Sequence, residues 1–520
     1  METSKNTQLR EEIVQDVIET CAVKGLMVKS VGTNDSIEFN HAPISLFPTP
    51  FPAKHYKQAK DYQRALSIMV NDLTRKPHKI HELLQYFQQH DTLMQKMLKI
   101  SQVFMEKGKQ GVVRQDIQFL IMRSDYMIDK LTDSLKMVEY NTVASSFGCL
   151  CQKTAEVQNY VLDKYRERLN LNYQRKDQDL ENQLTQITSL AKSFDQAVHL
   201  YLQDMQSRFE NLYSKRTSKD LWVLFVIDKQ ERNICDQKWI EAELYNNSGI
   251  RSMRMTFEQI RKSSEINKDT NALLINGNEV GFVYYRTGYQ LEQYETEDDW
   301  ETRQLLEMAQ PIKCPSIDIQ LTTFKKFQQA FADEQILRDV MSDHITEAEQ
   351  IKGIFKGIWT LEDIEKEDAH ELHEIIKQAI QNPRSYVIKP QKEGGGNNFY
   401  DEEVKSMLLS DDKDYLKQFL IMERINPPEI KAYMLRNGKI IETQSLSEIG
   451  IYSSVVIRTN TIENGIQDSD ICTFGRLLRT KGKESNEGGV NAGFAVIDSP
   501  FLVEIEDIQN DDIKPTVSNF

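Results

Sequence analysis

The architecture of this chain can be approached from one segment, which reads Val387-Ile388-Lys389-Pro390-Gln391-Lys392-Glu393-Gly394-Gly395-Gly396-Asn397-Asn398-Phe399-Tyr400. It opens as a short apolar strand that a proline ends, and three consecutive glycines follow. Glycines remove side chains from a loop, so its backbone N–H groups can approach an anion. Lys389 can offer a point charge to phosphate, and Glu393 can coordinate Mg²⁺. The segment therefore predicts a flexible flap over a nucleoside triphosphate.

The order of these residues excludes two common phosphate loops. A Walker A loop places its lysine after the glycines, and dinucleotide folds use G-x-G-x-x-G. Here Lys389 and Glu393 precede the glycines, so a different phosphate-binding geometry is needed. An ordinary glycine-rich hairpin loop is the alternative for this segment taken alone.

Length and composition exclude several classes of protein. With 520 residues it is long enough for two or three domains. Lysine plus arginine number 64 and aspartate plus glutamate 79, a formal charge of −15 that argues against nucleic acid or an anionic membrane as the main partner. We expect no signal peptide and no transmembrane helix. Six scattered cysteines without zinc spacing indicate reduced thiols in the cytosol.

The first part, residues 1–218, is predicted to be largely helical, with two strands between its helices. Asp116 to Met122 and Lys136 to Thr142 are apolar enough to be neighbouring buried strands. Such strands would bring Arg123 to the same sheet edge as Glu139 and Asn141. A surface salt bridge between two strands is the alternative.

A turn of small residues follows the second of these strands. Ser145-Ser146-Phe147-Gly148 leads into a helix whose N-terminus would favour an anion such as a carboxylate. N-capping by serine is the alternative. From about residue 151 to 217 the pattern predicts two long helices with a solvated face and no catalytic group.

The second part, residues 219–330, is predicted to be a separate α/β unit. Leu221 to Ile227 is a continuous apolar run typical of a central parallel strand, and Glu231-Arg232-Asn233 lie between it and a helix. Asn276-Gly277 predicts a hairpin into a strand that ends at Arg286-Thr287-Gly288-Tyr289. Near the end of this unit, Lys325 and Lys326 lie at the start of a predicted helix, where positive charge opposes the helix dipole. Either a bound anion or exposure of both lysines to solvent would explain this placement.

The third part, residues 331–520, contains the opening segment and several further strands. Ser447-Glu448-Ile449-Gly450 places a carboxylate beside a glycine, and Gly475 to Lys481 is a basic patch in an acidic protein. Gly488-Gly489-Val490-Asn491-Ala492-Gly493 is a second loop of small residues. We therefore expect two loops of this kind, one at 389–400 and one at 481–493.

These groups together indicate phosphoryl transfer. Oxygen ligands for Mg²⁺, lysines for phosphate and arginines for carboxylates are present, while no Ser–His or Cys–His pair suggests a nucleophile. In such chemistry the protein mainly positions groups and neutralises charge. The sequence thus predicts activation of a carboxylic acid by ATP.

Seven motifs resemble those of the eukaryotic glutathione synthetase family. They occur in the family's order and are Arg123-Ser124-Asp125-Tyr126-Met127, Glu139-x-Asn141-Thr142, Lys389-Pro390-Gln391-x-Glu393 with the glycines and asparagines that follow, Met422-Glu423-x-Ile425, Glu448-x-Gly450-Ile451, Leu478-Arg479-Thr480-Lys481 and Gly488-Gly489-Val490. The resemblance implies an α/β (α+β) protein with the ATP-grasp fold, an inserted Rossmann-like substrate-binding domain and a helical N-terminal part. It also implies a homodimer that joins γ-glutamylcysteine to glycine with ATP and Mg²⁺, through an acyl phosphate.

The resemblance further implies roles for individual residues. Catalysis would involve Arg479, Lys389 and Arg123, and the metal ligands would be Glu139, Asn141 and Glu393. ATP would contact Glu139, Lys325, Lys389, Gly394, Gly395, Gly396, Asn397, Asn398, Tyr400, Met422, Glu423, Arg424, Ile425, Glu448, Lys481 and Glu487. The peptide and glycine would contact Arg123, Val143, Ala144, Ser145, Ser146, Glu231, Arg232, Asn233, Gln237, Arg286, Thr287, Gly288, Tyr289, Arg479, Val490 and Asn491.

The chain departs from the family pattern at two positions. Asn491 stands where the second loop usually has alanine, and Ala144 replaces a serine found in some members. Because that loop lies near the incoming amino acid in this family, a ligase for another small amino acid, such as β-alanine or serine, is an alternative. A catalytically inactive nucleotide-binding relative is a second alternative, although the full set of magnesium and phosphate residues argues against it.

Overall fold

A computed structural model describes residues 2–30, 38–109, 115–169, 184–355, 357–391, 397–459, 466–490 and 493–504. The site candidates Glu393, Gly394, Gly395, Gly396 and Asn491 lie outside the described residues. The α-helices of the described part are Glu2–Val23, Ala53–Thr74, Pro77–Leu84, Thr92–Lys109, Leu150–Tyr165, Gln186–Arg208, Glu210–Tyr213, Ile234–Ser248, Phe257–Ser263, Glu297–Met308, Ile317–Leu321, Lys325–Ala330, Glu334–Val340, Ile345–Ile351, His370–Gln381, Glu402–Leu408 and Lys413–Leu416.

A seven-stranded sheet, here called the central sheet, forms the middle of the molecule. Almost all of its pairings are antiparallel, and its strands come from distant parts of the chain. In spatial order the strands are Ile430–Arg436, Ile44–Ser45, Ala495–Asp498, Ile471–Gly482, Lys439–Arg458, Ile117–Asp129 and Ser134–Asn141. The two strands predicted around Arg123 and Glu139 are therefore confirmed as neighbours, at one edge of this sheet.

One face of the central sheet packs against the helix Ala53–Thr74. Side chains alternate between the two faces of a strand, and Leu120, Met122 and Tyr126 share one buried cluster with Leu66 of that helix. This face is mostly apolar, and the burial of its apolar surface contributes about 25 cal/mol for each Å² removed from water. Its buried polar side chains, Gln118 and Ser124, are hydrogen-bonded within the protein.

The opposite face is apolar over part of its length and charged over the rest. Ile121 lies in one buried cluster with the helices Leu150–Tyr165 and Gln186–Arg208. The next two residues on this face of the same strand are Arg123 and Asp125. The two predicted long helices are thus confirmed, and they cover the sheet directly beside the charged positions.

A second sheet of six strands lies within residues 222–314. Trp222–Val226 is central in it, with parallel neighbours Arg251–Met255 on one side and Asn278–Tyr285 on the other. The sheet also contains Leu273–Ile275, Ser264–Ile266 and Ile312–Cys314. The predicted central parallel strand and the hairpin at Asn276-Gly277 are both confirmed.

A third sheet, here called the four-stranded sheet, contains the segment that opened the sequence analysis. Its order is Ile358–Thr360, Phe419–Glu423, Tyr386–Pro390 and Phe399–Tyr400. Val387 pairs with Tyr400 and Ile388 with Phe399. The two strands that precede and follow the glycine-rich segment are therefore antiparallel neighbours.

Two small sheets complete the described strands, Met27–Lys29 with Phe39–His41 and Thr49–Pro52 with Pro500–Val503. The mixture of helices and sheets confirms the α/β (α+β) class. Among the helices described, none combines the length and the apolar character that crossing a membrane requires. The division at residues 218 and 330 stays a prediction, and strands from both the first and the third part pair within the central sheet.

Candidate active site

The charged side chains of the central sheet lie opposite one another on four adjacent strands. Glu448 is paired in register with Arg479, and Gly450 is paired with Asp125. Across the next strand boundary, Asp125 lies opposite Glu139. Directly paired residues point to the same face of a sheet, so this register alone gathers the predicted site residues from three regions of sequence.

Asp125 is the centre of this group. It is fully buried, with 0% of its surface exposed, and accepts two hydrogen bonds from Arg123, at 2.6 Å from Nε and 2.7 Å from Nη2. Arg479 Nη2 donates to its Oδ2 at 3.0 Å, and Asn141 Nδ2 donates to the same oxygen at 3.1 Å. Arg479 Nη2 also donates to Glu448. No role was predicted for Asp125, although it lies two residues after Arg123 and so on the same face.

A cleft with about 1000 Å³ of empty space opens between the central sheet and the four-stranded sheet. Its walls combine apolar and charged side chains. The residues that line it are Met127, Val138, Glu139, Lys325, Val387, Lys389, Asn398, Tyr400, Met422, Glu423, Arg424, Ile425, Pro427, Leu446, Glu448, Arg479, Lys481, Asn486, Glu487, Gly488 and Gly489. Such a mixture suits a ligand with one flat apolar end and one highly charged end.

The lysines of the cleft are held where an ammonium group is poorly solvated. Burial lowers the pKa of Lys389, with Lys325 adding to the effect and Glu139 opposing it. Burial lowers the pKa of Lys481 to about 8, and the nearby Arg424 adds to it. A bound anion would reverse these shifts, because it stabilises the charged form.

The pKa values of two carboxylates that line the cleft, Glu139 and Glu448, are shifted in opposite directions. Burial acts to raise the pKa of Glu139, but Lys325, Arg479 and other cations outweigh it and hold the pKa below its ordinary value. Burial raises the pKa of Glu448, with Asp125 adding to the effect and Arg479 opposing it. The surroundings therefore favour the ionised form of Glu139 more than that of Glu448.

The oxygens of Glu139 and Asn141 fit a hard cation. Within the described residues, the Glu139 carboxylate accepts no hydrogen bond. Asn141 uses its Nδ2 to donate to Asp125, which leaves its amide oxygen available as a ligand. Carboxylate and amide oxygens are ligands that Mg²⁺ accepts. No set of three or more His, Cys, Asp or Glu residues suited to a metal occurs in the part of the chain that the structure covers.

The turn at Ser145 to Gly148 binds a carboxylate of the protein itself. Asp236 accepts hydrogen bonds from the backbone N–H groups of Phe147 at 2.8 Å, Cys149 at 2.8 Å and Leu150 at 3.1 Å. The prediction of an anion at this helix N-terminus is thus confirmed. The alternative, capping by serine, is wrong, because the N-cap position is Cys149 and no side chain of the turn caps the helix.

A second polar cluster lies beside this turn. Arg286 Nη2 donates to Ser146 Oγ at 2.8 Å, and Arg123 Nη1 donates to the Ser146 carbonyl oxygen at 3.1 Å. Arg286 Nε, Asn233 Oδ1 and Thr287 Oγ1 are buried, and no residue that the structure describes hydrogen-bonds these three atoms. Buried polar atoms are nearly always hydrogen-bonded, so this cluster has unused capacity for a polar ligand.

The loop that carries Tyr289 is fixed by a single glutamine. Gln293 Oε1 accepts from the backbone N–H groups of Gly288 at 2.8 Å and Tyr289 at 2.9 Å. Gly288 has φ +85°, and a Cβ there would lie 2.7 Å from Tyr294 Oη. Glycine is therefore required at this turn of the loop.

Glu231 organises the loop after the first strand of the α/β unit. It accepts from the backbone N–H of Asn233 at 2.8 Å and from Gln237 Nε2 at 2.5 Å. Gln237 in turn accepts from Arg254 Nη2 at 2.7 Å. Three of the predicted peptide-binding residues are thereby held together.

The second loop contacts the four-stranded sheet across the mouth of the cleft. Asn486 Oδ1 accepts from Arg424 Nη2 at 2.5 Å, and Asn486 Nδ2 donates to Asp401 Oδ2 at 3.0 Å. Asn398 Nδ2 donates to Glu487 Oε1 at 3.3 Å. Asn486 received no predicted role, and only its place beside the glycines could have suggested one.

The structure separates the predicted residues into two neighbouring groups. Of the described candidates for ATP, all except Asn397 line the cleft. Of the described candidates for the peptide, Arg479 alone lines the cleft. Among the others, Ser146 contacts both Arg123 and Arg286, and Ser145 contacts Arg286. Lys325 and Lys326 are both buried, so the idea of a solvated lysine pair is wrong. Lys325 lines the cleft, whereas Lys326 pairs with Glu362 at 3.2 Å.

Comparison with known proteins gives one consistent family. The model "Eukaryotic glutathione synthase, ATP binding domain" matches residues 7–502. Glutathione synthetase of Xenopus laevis is 31% identical over 508 residues, which are 96% of this chain and 98% of that protein. The human enzyme is 30% identical over the same shares. The chloroplastic enzyme of Solanum lycopersicum is 30% identical over 506 residues, 96% of this chain and 85% of that protein.

A solved structure agrees in fold. The glutathione synthetase like-effector from Globodera pallida, in its apo form, superposes with a TM-score of 0.68 at 18% identity. The match covers 95% of this chain and 97% of that one. At that identity the likeness concerns the fold alone.

Proposed function

The chain belongs to the eukaryotic glutathione synthetase family, and from that premise we propose that it joins γ-glutamylcysteine to glycine with ATP. The products are glutathione, ADP and phosphate. A carboxylate oxygen of the dipeptide attacks the γ-phosphorus, and ADP leaves. The amine of glycine then attacks the acyl carbon of the resulting acyl phosphate, and inorganic phosphate leaves with the electron pair of the broken C–O bond.

The observation that carries this proposal is the meeting of the two residue groups at Arg479. This arginine lines the cleft and also hydrogen-bonds Asp125, which binds Arg123. A carboxylate held by these guanidinium groups would lie beside the phosphate-binding lysines. Holding two reactants in such proximity lowers the barrier, because it converts a bimolecular step into one within a single complex.

We propose that the cleft holds ATP. Lys325, Lys389 and Lys481 would neutralise the phosphates. A bound phosphate would counteract the burial that lowers the pKa of Lys389 and Lys481, because it stabilises their charged forms. The apolar side chains of the cleft, Val387 and Met422 among them, would take the adenine ring. Glycines 394–396, together with Asn397 and Asn398, would cover the phosphates.

The peptide is proposed to lie against the turn at Ser145 and Ser146 and the loop at Arg286. The unused hydrogen-bonding atoms of Arg286, Asn233 and Thr287 support a polar ligand there. Glu231 would contribute a carboxylate for an ammonium group. Val143, Ala144, Arg232, Gln237, Gly288, Tyr289 and Val490 complete the proposed contacts.

We propose Glu139, Asn141 and Glu393 as the residues that hold Mg²⁺. The first two fit by the chemistry of their oxygens, as described above. The metal ion, when bound, neutralises phosphate charge and orients the γ-phosphate. Arg479, Lys389 and Arg123 are proposed to act catalytically, by holding charge where it develops during transfer.

Three further properties are proposed from family membership. They are a homodimeric assembly, the ATP-grasp division into parts 1–218, 219–330 and 331–520, and a cytosolic location. The location is supported by six cysteines that are all free, since cytosolic proteins keep thiols reduced. Chloroplastic relatives are also known.

One assay tests the proposed reaction. Purified protein is incubated with ATP, Mg²⁺ and γ-glutamylcysteine while the third amino acid is varied among glycine, β-alanine and serine. We expect phosphate release that depends on the dipeptide and is fastest with glycine. Faster turnover with serine or β-alanine would replace the glutathione assignment, and no phosphate release with any acceptor would indicate an inactive relative. Asn491→Ala is expected to change mainly KM for the acceptor.

A further inference from the structure

Two arginines that are proposed to bind the same anionic substrate lie close together in the described structure. Arg123 and Arg479 share Asp125 as a hydrogen-bond partner, through distances of 2.6 to 3.0 Å. Arg123 is 4% exposed and Asp125 is fully buried. Two guanidinium groups at this depth repel each other unless a negative charge lies between them.

Asp125 supplies that charge. Its Oδ1 and Oδ2 accept the parallel N–H pair of Arg123 in the bidentate geometry that guanidinium and carboxylate groups prefer. Its Oδ2 also accepts from Arg479 and from Asn141. Among the described residues, every side chain that donates to Asp125 is thus one proposed to hold substrate or metal.

Because Gly450 has no side chain, it leaves room for the Asp125–Arg123 pair. It is paired with Asp125 on the neighbouring strand. A Cβ at Gly450 would lie 2.5 Å from Asp125 Oδ1 and 2.8 Å from Arg123 Cδ. Contacts below about 3 Å to a Cβ are sterically forbidden, so any side chain at this position must displace the pair. The glycine in this strand is therefore required by the Asp125–Arg123 contact and not by its backbone angles.

We infer that Asp125 and Gly450 are positioning residues that hold Arg123 and Arg479 side by side as one clamp for the carboxylate of the dipeptide. The inference rests on the proposed function. Asp125 does not touch the substrate in this account. It acts by fixing the distance and orientation of two cations, so that both can bind one anion when it arrives.

The test compares Asp125→Asn with the parental full-length protein. The asparagine keeps the size of the side chain but removes its charge, so the two arginines separate. We expect KM for γ-glutamylcysteine to rise by about 10- to 100-fold, because charge-assisted hydrogen bonds are lost. KM for ATP is expected to stay within about twofold, since the phosphate-binding lysines do not contact Asp125.

The matched control is Asp498→Asn. Asp498 is equally buried and lies in the same sheet, but it accepts from Thr49, Thr480 and Gln158. We expect this variant to lose stability without a change in KM for the dipeptide. An equal rise in KM in both variants would mean that Asp125 is structural only.

Gly450→Ala gives a second route to the same clamp, with Gly353→Ala as its control because an added Cβ at Gly353 meets nothing within 4 Å. We expect Gly450→Ala to weaken dipeptide binding, and the double variant with Asp125→Asn to be little worse than either single variant, since both disturb one unit. Unchanged dipeptide KM in Asp125→Asn or, if that variant does not fold, in Gly450→Ala would overturn the inference.

Calorimetric titration of the dipeptide separates this inference from the proposed function. If the parental protein binds γ-glutamylcysteine but forms no product, the ligase assignment fails and the clamp is still tested by the affinities of the variants. If the parental protein does not bind the dipeptide, both fail. If it is active and the variants bind the dipeptide as tightly as it does, the clamp alone fails.

Discussion

Asp236 Oδ1 lies 2.8 Å from the backbone nitrogen of Cys149, although the two residues are 87 positions apart in the chain. The contact joins the α/β unit to the turn that carries Ser145 and Ser146. Two more backbone N–H groups, of Phe147 and Leu150, donate to the same carboxylate. One buried side chain thus determines where the proposed peptide-binding turn lies relative to Arg286.

Asp236→Ala should therefore affect both stability and substrate binding. Three buried N–H groups would lose their acceptor, and we expect the free energy of unfolding to fall by about 3 kcal/mol or more. KM for γ-glutamylcysteine should rise, because the turn loses its position. Urea denaturation and steady-state kinetics measure the two effects. The control is Asp163→Ala in the helix that follows the turn, where the side chain is 82% exposed; equal effects in both variants would contradict the assignment.

The lowered pKa of Lys481 predicts that ATP binding weakens at alkaline pH. Its pKa is lowered to about 8 by burial, so the ammonium group is charged below that pH and becomes neutral above it. Only the charged form neutralises phosphate, and kcat/KM for ATP should fall several-fold as the pH rises through about 8. Lys481→Arg should abolish this alkaline decline, since arginine stays charged.

Lys483→Arg serves as the control for this pH profile. Lys483 is half-exposed and pairs with Glu429 at 2.7 Å. The midpoint of the decline should be the same in this variant as in the parental protein. An alkaline decline that persists at the same midpoint in Lys481→Arg would show that another group titrates.

Glu139→Gln tests the proposed metal site. The substitution keeps the shape of the side chain and removes the carboxylate that the surrounding cations keep ionised. We expect kcat to fall by about 100-fold and the Mg²⁺ concentration needed for half-maximal rate to rise. The control is Glu442→Gln, on the exposed part of the same sheet. Its kcat and its Mg²⁺ dependence should equal those of the parental protein. If Glu139→Gln reaches half-maximal rate at the same Mg²⁺ concentration as the parental protein, Glu139 is not a metal ligand.

Asn486→Ala tests the contact between the second loop and the four-stranded sheet. Its side-chain amide hydrogen-bonds both Arg424 and Asp401, so we expect it to hold the second loop over the cleft during the reaction. Without it, water should reach the acyl phosphate more often. We expect more phosphate released per tripeptide formed, a ratio that coupled assays measure directly. Asn382→Ala, which removes only a bond to Ser385, should keep the ratio near one, and a ratio near one in Asn486→Ala as well would contradict the proposed closure.

Much of this site could be predicted from local patterns. Arg123 and Glu139 follow apolar runs that form neighbouring strands. The short apolar strand at Val387 could also be predicted, and it pairs with Tyr400. Such features depend on alternation and turn chemistry within a few residues. The seven motifs then indicated which residues belong to one site.

The remaining features depend on contacts between distant parts of the chain. Asp236 could not be assigned, because its three partners lie almost 90 residues earlier. The order of the central sheet is also non-local, since Ile44–Ser45 lies between strands from residues 430–436 and 495–498. Gly450 belongs to one of the seven motifs, but the motif does not explain why glycine is needed there. The explanation depends on the strand register, which places Asp125 beside it.

The central claim is that a carboxylate of the dipeptide is phosphorylated by ATP at the junction of the two residue groups. Its most direct test uses γ-glutamylcysteine labelled with ¹⁸O in the cysteinyl carboxylate. The account predicts that each turnover with glycine transfers one ¹⁸O atom from that carboxylate to inorganic phosphate, because the C–O bond of the acyl phosphate breaks. Phosphate free of ¹⁸O during product formation would contradict it.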